Sequence, residues 1–426
     1  MVLGAALLVS CEQDHEVSIP QFPDGGLLGT GVPLTREQLY GFEGLFTLAD
    51  GSSLFGADVS VRTSPGTISL LTDKNAGYAV LEAACLPDQA VVLEGYWQYP
   101  TRTNVGLVRL FVEPADLGQA LCAGEPLPPE AGLVLRGAYG KGDELPTTAL
   151  SLSWARELKP WRGRFFTVSH HGACEINDHC GTTPNSIESI RLSERVGSNA
   201  AEVDVRVTRD GVPILFHDPS LSSSLVDGIF CNGAIADVSL AELQGSCRLR
   251  HGEVIPTLEQ ALAMMIEETE LEAVYLDQKT PEGVLPSARL AARAMQQLRE
   301  RDGRAFTVLV ALTTEEIFDA WIDAKAKLSE EGLEIPPCLI EYDPDLVISE
   351  GCLAWGPTWT EGPQPDNVAK VRAAGAATVF WTINQTDFID EFLKQAKPNG
   401  IISSRASLLF HRYQKIGTPP PEGAGP

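Results

Sequence analysis

Strand-like runs that end on acids and histidines constrain this chain more than any other feature. Ala201–Glu202–Val203–Asp204–Val205 sets two carboxylates two residues apart in an apolar, β-branched stretch. Side chains alternate along a strand with a period of two, so both carboxylates share one face. Ser169–His170–His171–Gly172 closes an earlier run on histidine. Val212–Pro213–Ile214–Leu215–Phe216 leads into His217–Asp218, and Ala273–Val274–Tyr275–Leu276 ends in Asp277–Gln278–Lys279. Polar residues gathered at the same end of successive strands suit a parallel α/β barrel, whose chemistry sits at the C-terminal ends of its strands.

The rest of the chain supports that reading. From Arg164 onward, strand candidates alternate with helical patterns. The strands are Phe165–His170, Ala200–Val207, Val212–His217, Leu271–Gln278, Ala305–Ala311, Cys338–Glu341, Ala377–Ile383 and Gly400–Ser403. Between them lie segments such as Ser186–Arg195, Thr257–Glu267 and Pro286–Arg299 with helical periodicity. The alternation predicts a (β/α)8 TIM barrel over residues 160–416 rather than an open doubly wound sheet. No Gly-rich dinucleotide fingerprint follows the first strand. Residues 36–150 read differently, as short β runs broken by Gly, Pro, Asp and Asn, and predict a small all-β domain. Its aromatics Trp97, Tyr99, Phe111 and Tyr139 are expected in its core. Ser151–Leu158 is expected to link the two domains, and Pro219–Leu249 to form a disulfide-pinned loop over the active face. Residues 12–35, rich in Pro and Gly, read as a tether, and 417–426 as a disordered tail.

With 57 acidic against 32 basic residues, the formal charge is -25. That surface repels nucleic acid, and no basic tract compensates. It is compatible with a hard divalent cation held by carboxylates. The chain has nine cysteines. Leu8–Val9–Ser10–Cys11 follows an apolar run too short to span a bilayer and is similar to a bacterial lipobox. That resemblance implies that residues 1–11 are a signal segment, that Cys11 is lipidated, and that the protein is exported as a lipoprotein. Glu12 after the cysteine points to the outer membrane, on its periplasmic or cell-surface side. Setting Cys11 aside leaves an even number of cysteines in an exported chain, which implies disulfides. Proximity suggests Cys85–Cys122, Cys174–Cys180, Cys231–Cys247 and Cys338–Cys352. The second of these is expected to stiffen the loop just after His170.

Taken together, the blocks resemble the glycerophosphodiester phosphodiesterase family. The family pattern runs His-Arg-Gly, Pro-Glu-Asn-Thr, Glu-Leu-Asp-Val, Thr-Lys-Asp-Gly, His-Asp, Glu-Ile-Lys, a late Trp-Thr-Asn strand and a closing Asp-Gly-Ile-Ile-Thr-Asp. This chain has, in the same order, His170–His171–Gly172, Thr183–Pro184–Asn185–Ser186, Glu202–Val203–Asp204–Val205, Thr208–Arg209–Asp210–Gly211 and His217–Asp218. Asp277–Gln278–Lys279, Trp381–Thr382–Ile383–Asn384 and Asn399–Gly400–Ile401–Ile402–Ser403–Ser404 follow. The resemblance covers residues 164–413. It departs from the pattern where His171 replaces Arg, Pro184 replaces the helix-opening Glu, and Asp277 replaces a Glu. Asp-x-Lys at that last place is similar to the related sphingomyelinase D and venom phospholipase D branch.

The resemblance implies a phosphodiester hydrolase acting on glycerophosphodiesters to give glycerol 3-phosphate and an alcohol. Glu202, Asp204 and Asp277 are the implied ligands of one Mg²⁺ or Ca²⁺, and His170 and His217 the general acid and base. In the family the attacking group is often the substrate's own neighbouring hydroxyl. Lys279, His171 and Trp381 are implied substrate contacts. The expected partner is a small phosphodiester or a lipid head group, with the membrane reached through the lipid anchor. Two other readings stand beside this one. One is a phospholipase D-like activity on lysophospholipids or sphingolipids, and the other a surface lipoprotein that binds phosphodiesters without turning them over.

Overall fold

The structure is a computed structural model that describes residues 17–127, 132–229, 231–301 and 303–420. The lipobox, Cys11, the first residues of the expected tether and the last six of the expected tail lie outside the described residues.

Two closed barrels follow one another along the chain. The first is antiparallel. Its strands, from Gly44–Asp50 to Thr148–Arg156, each pair with the next in sequence, and the last pairs back with the first, Phe46 opposite Trp154. Such closure leaves no free sheet edge. Inward positions alternate apolar, and Phe46, Val59, Val61, Leu70, Leu81, Leu93 and Leu110 fill the interior. Trp97 meets Tyr99 and Tyr139 edge-on at 5.3 and 6.4 Å in the same core. Phe111 is only half-buried, contrary to expectation, because its parity on the strand Val105–Glu113 is opposite to that of Leu110. Glycine allows the strands to curl closely: a Cβ at Gly95 or Gly137 would strike the backbone of the neighbouring strand.

The second barrel is parallel, as the alternation implied. Its strands are Phe166–Ser169, Ala200–Val207, Ala273–Gln278, Thr307–Leu312, Cys338–Ile340, Ala354–Trp355, Ala377–Phe380 and Gly400–Ser403. The first closes the ring by pairing with both the second and the last, Val168 opposite Ala200 and Phe166 opposite Gly400. Phe166, Val168, Ala200, Ala273, Tyr275, Leu309, Leu339, Val379 and Ile402 pack its interior. Parity then does the rest. Ala200, Glu202 and Asp204 share a face, as do Ala273, Tyr275 and Asp277, so the strands that fill the barrel carry their acids to its mouth.

The strand roster needs one exchange. Val212–His217 is not a barrel strand. Pro213–Leu215 pairs antiparallel with Ala200–Val207, Leu215 opposite Val205 and Pro213 opposite Val207. The reason is in the spacing, since the short turn through Thr208–Gly211 cannot carry a parallel crossover of a dozen or more residues. The missing barrel strand is Ala354–Trp355, too short to show a pattern of its own. Pro219–Leu249 is also more than a loop. It holds two small sheets, the helix Leu240–Ser246 and a core of Leu221, Val226, Ile235, Leu243 and Leu249 that packs on Phe216.

The domain edges shift as well. Ser151–Arg156 is strand rather than linker, with Leu150 and Leu152 in the first core. The expected tether is structured over residues 23–35. Val32–Pro33 pairs with the strand Tyr78–Cys85, and the backbone N–H groups of Leu27 and Leu28 donate to Glu94 Oε2 at 2.8 and 3.2 Å. Of the expected tail, Gly417 and Pro420 are buried, and Lys159 Nζ donates to the Gly417 carbonyl at 2.8 Å. The four disulfides present are the four that proximity suggested. The helix Ala406–Ile416 joins the barrels. His411 contacts Ser60 Oγ at 3.0 Å and Asp58 Oδ1 at 2.9 Å, while Arg62 lies 4.3 Å over the Trp161 ring. Among the described residues, no helix is long and apolar enough to cross a membrane.

Candidate active site

Glu202 and Asp204 reach the barrel mouth from one strand, and Asp277 stands beside them because the adjacent strand pairs Asp204 with Asp277. Three further residues fix their orientation. His171 takes a positive φ of 53°, and the Gly172 after it is at 90°, where a Cβ would collide with Ser189. This tight turn aims the His171 backbone N–H at Glu202 Oε2, 2.9 Å away. Asn185, also at positive φ, donates through Nδ2 to Asp204 Oδ2 at 2.6 Å and accepts from the Asp204 N–H at 3.0 Å. Asn tolerates that backbone region better than most residues. Lys279 Nζ bridges Asp277 Oδ2 at 2.6 Å and Asp204 Oδ1 at 2.8 Å.

The three carboxylates offer ligand atoms within 4.8 Å of one another. Glu202 Oε1 and Asp277 Oδ1 are buried with no hydrogen-bond partner, and Asp204 Oδ1 has only the off-axis Lys279 ammonium. Unpaired buried carboxylate oxygens are costly, and a hard cation that takes oxygen ligands fits them. The electrostatics agree. Burial, reinforced by Asp204 and Asp277, drives the Glu202 carboxyl well above its ordinary range. Burial also raises Asp277 against the pull of Lys279. Asp204 is buried too, but His171 and Lys279 outweigh that and hold it down.

The histidines form a row. The His170 and His171 rings stack at 3.5 Å, and His171 lies 5.2 Å from His217. His171 Nε2 is 3.2 Å from Asp204 Oδ2. Burial pushes His171 down to about 4, which leaves its imidazole neutral at physiological pH. His217 is half-exposed, with Nδ1 2.8 Å from Asp218 Oδ1. His170 Nδ1 is 3.2 Å from both Glu175 Oε1 and Ser404 Oγ.

His170 sits just past the C-terminal end of its strand, as expected. His217 also follows the C-terminal end of its strand, Pro213–Leu215, but that strand is an antiparallel arm that returns it to the level of Asp204, whose carbonyl accepts the Phe216 N–H at 3.0 Å. One cavity of about 650 Å³ gathers His170, His171, Glu202, His217, Asp277, Lys279 and Trp381. The Trp381 indole is anchored by Nε1 donating to the Gly356 carbonyl at 2.6 Å. Cys11, the remaining site residue, lies outside the described residues. Sequence reasoning missed three residues. Asn185 lies in the Thr183–Ser186 block, where nothing in the spacing ties it to Asp204. Glu175 lies in the loop between Cys174 and Cys180, where no periodicity marks it. Glu341 closes a strand and lines the same cavity, with burial raising its carboxyl to about 8.

The family model for the glycerophosphoryl diester phosphodiesterase family matches residues 179–407, more than half of the chain. The chain belongs to that family. It is accordingly an enzyme of the phosphoric diester hydrolase class. Relatives include the Mycobacterium tuberculosis protein named probable glycerophosphodiester phosphodiesterase 2, 27% identical over 256 residues, covering 56% of this chain and 90% of that one. Glycerophosphodiester phosphodiesterase 1 of Homo sapiens is 30% identical over 114 residues, 25% of this chain and 31% of its own. Among solved structures, an Oleispira antarctica phosphodiesterase in complex with the product sn-glycerol-3-phosphate aligns at 19% identity and a TM-score of 0.46, over 58% of this chain and 96% of that one. The family is divalent-metal dependent, and the acid cup at the barrel mouth offers a site for such an ion.

Proposed function

We propose that this protein hydrolyses glycerophosphodiesters to glycerol 3-phosphate and an alcohol, with Glu202, Asp204 and Asp277 as the ligands of one Mg²⁺ or Ca²⁺. The observation that carries the reading is the set of carboxylate oxygens left unpaired in one buried cup. A bound divalent ion there supplies charge neutralisation of the phosphodiester and of the negative charge that builds during displacement. The chain's own residues do the remaining work. His170 and His217 take the proton from the attacking hydroxyl and return one to the leaving oxygen, the acid–base work to which an imidazole is suited. Lys279 holds Asp277 by a hydrogen bond and Asp204 by charge, and has N–H donors left for a phosphate oxygen. Trp381 offers a ring for glycerol or the head group. His171 stands where the family pattern has Arg, and with Nε2 turned to Asp204 its neutral imidazole supports that carboxylate and offers a phosphate oxygen no charged fork.

The test is turnover of purified protein on a panel of glycerophosphodiesters with and without EDTA, alongside elemental analysis and calorimetric titration with Mg²⁺ and Ca²⁺. EDTA abolishes activity and one of the two ions restores it. Full turnover in chelator, with no metal bound, overturns the reading. A second reading is phospholipase D-like action on lysophospholipids, which the apolar wall of the cavity favours, with Ala311, Ile317 and Leu339 in it. Including lysolipids in the panel separates the two.

We further propose that this chemistry belongs to an exported outer-membrane lipoprotein tethered through Cys11, a reading that the lipobox resemblance supports. Mass spectrometry of the mature N-terminus checks it: an acylated Cys11 supports the anchor, and an unmodified one removes it.

A further inference from the structure

His170 is met by a carboxylate that the eight aligned blocks do not contain. Glu175 Oε1 lies 3.2 Å from His170 Nδ1 and also accepts from Ser404 Oγ. Ser404 occupies the place where the family pattern closes on Asp. In this chain that position is a hydroxyl, and a carboxylate from another segment reaches over it to the same imidazole. Asn384 fixes the serine from behind: its Oδ1 accepts the Ser404 N–H at 2.8 Å, and its Nδ2 donates to Ser404 Oγ at 3.3 Å. The hydrogen bond from His170 is the chief reason that the Glu175 carboxyl is held down to about 2.

The loop that carries Glu175 is held from four sides. The Cys174–Cys180 disulfide closes it. Asp178 Oδ2 accepts the Glu175 N–H at 2.9 Å, and Asp178 is itself gripped by both terminal nitrogens of Arg405, at 2.5 and 3.0 Å. The other two holds come from the first barrel. The Pro100 carbonyl accepts the His179 N–H at 2.8 Å, and Gln98 Nε2 donates to the His179 carbonyl. Gln98 is buried, with its own Oε1 fixed by Tyr78 OH at 2.9 Å.

We infer that Glu175 is the positioning residue of His170, and that the antiparallel barrel serves catalysis by bracing the disulfide loop that presents it. An acceptor fixed on Nδ1 keeps that nitrogen protonated and leaves Nε2 as the basic one, which sets both the tautomer and the orientation of the ring. Misplacing a catalytic group by about 1 Å costs roughly 10²-fold, so a braced loop has a measurable effect. The inference rests on the phosphodiesterase reading for its kinetic arm only.

Two measurements test it. The first is kinetic. Glu175→Ala lowers kcat by roughly 10- to 100-fold with KM within about twofold, and both Glu175→Asp and the relocated carboxylate Glu175→Ala/Ser404→Asp recover most of the loss. Gln98→Ala lowers kcat several-fold in the wild-type background and adds nothing on top of Glu175→Ala, because both act through one loop. Thermal melts confirm that each variant is folded. A Glu175→Ala enzyme with wild-type kcat, a loss that neither carboxylate restores, or additive losses for Gln98 and Glu175 would overturn the inference. The second is spectroscopic and needs no substrate. Two-bond ¹⁵N–¹H correlation of the His170 ring, assigned through His170→Gln, shows Nδ1 protonated in the wild type and a shift toward the Nε2–H form in Glu175→Ala. An identical tautomer in both proteins sinks the assignment. If wild-type protein turns over no phosphodiester while the tautomer shifts as stated, the phosphodiesterase reading fails and the Glu175 assignment stands.

Discussion

Each barrel buries a glutamate, and the two are treated in opposite ways. Glu94 in the first barrel is 1% exposed, and Glu202 in the second is 6% exposed. Glu94 is fully partnered: Arg109 pairs with Oε1, and the backbone N–H groups of Leu27 and Leu28 donate to Oε2. Glu202 has a partner for Oε2 alone, and its Oε1 is left bare beside Asp204 and Asp277. Among the described residues, the only buried carboxylate oxygens without a hydrogen bond are these three acids at the second barrel's mouth. A paired buried charge fastens structure, here the segment before the first strand. An unpaired one costs stability and marks the place where something else completes the site.

The comparison predicts opposite outcomes for the two glutamates, and this is the largest effect expected. Glu202→Gln removes activity by on the order of 10⁴-fold. In chelator its melting temperature stays level or rises, because a buried carboxyl crowded by Asp204 and Asp277 is replaced by a neutral amide. Glu94→Ala leaves Arg109 and two backbone donors without their acceptor and lowers stability by about 3–5 kcal/mol, the scale for breaking a buried pair. Its folded fraction keeps wild-type kcat. Chemical denaturation and steady-state kinetics on both variants decide the matter. Should Glu202→Gln unfold the protein while remaining active when folded, the two residues have been assigned the wrong way round.

The histidine row sharpens the same contrast inside the site. His170→Ala and His217→Ala each lower kcat by roughly 10²–10⁴-fold, the range for losing a positioned acid or base. His171→Ala raises KM more than it lowers kcat, because this buried neutral ring supports Asp204 and stands at the phosphate-contact position. Kinetics on the three variants checks this. A dead His171→Ala beside a His170→Ala with near-wild-type kcat shifts the assignment along the strand by one residue.

Much of this site was legible because strand parity is local. Glu202 and Asp204 must share a face whatever surrounds them, and Asp277 follows once the strands are parallel and in register. The disulfides were legible from proximity. What escaped was set by long-range contact or by brevity. Ala354–Trp355 is a barrel strand only because Leu339 and Ile340 on one side and Ala377 and Thr378 on the other pair with it. Residues 23–35 looked like a tether because their anchor, Glu94, lies on a strand far along the chain. His217 follows a run that reads like a barrel strand, yet the four-residue turn before it is too short for a crossover, so the spacing itself argues for an antiparallel arm. Glu175 meets His170 through a loop fold that no pattern encodes.

The smallest predicted effect concerns the seam that makes two barrels one molecule. Asp58, on a strand of the first barrel, accepts from His411 Nε2 and Lys415 Nζ of the helix Ala406–Ile416, each at 2.9 Å. The His411 hydrogen bond, aided by Lys415, holds the Asp58 carboxyl below its ordinary range against the opposing effect of burial. A carboxyl depressed in the folded state contributes stability that is complete above its unfolded value of about 4 and is lost as pH falls through the folded value. Asp58→Asn therefore melts below the wild type at pH 5, and the gap closes as pH is lowered toward 2. The side chain is 22% exposed, so solvent screening limits the gap to about 1 kcal/mol. Melting curves of both proteins across that range provide the test. A gap that is absent at pH 5, or that widens on acidification, means that the seam is held by Arg62 against Trp161 and Phe410 instead. In that case the two barrels are joined by apolar and cation–π packing, and the ion pair at their edge is incidental.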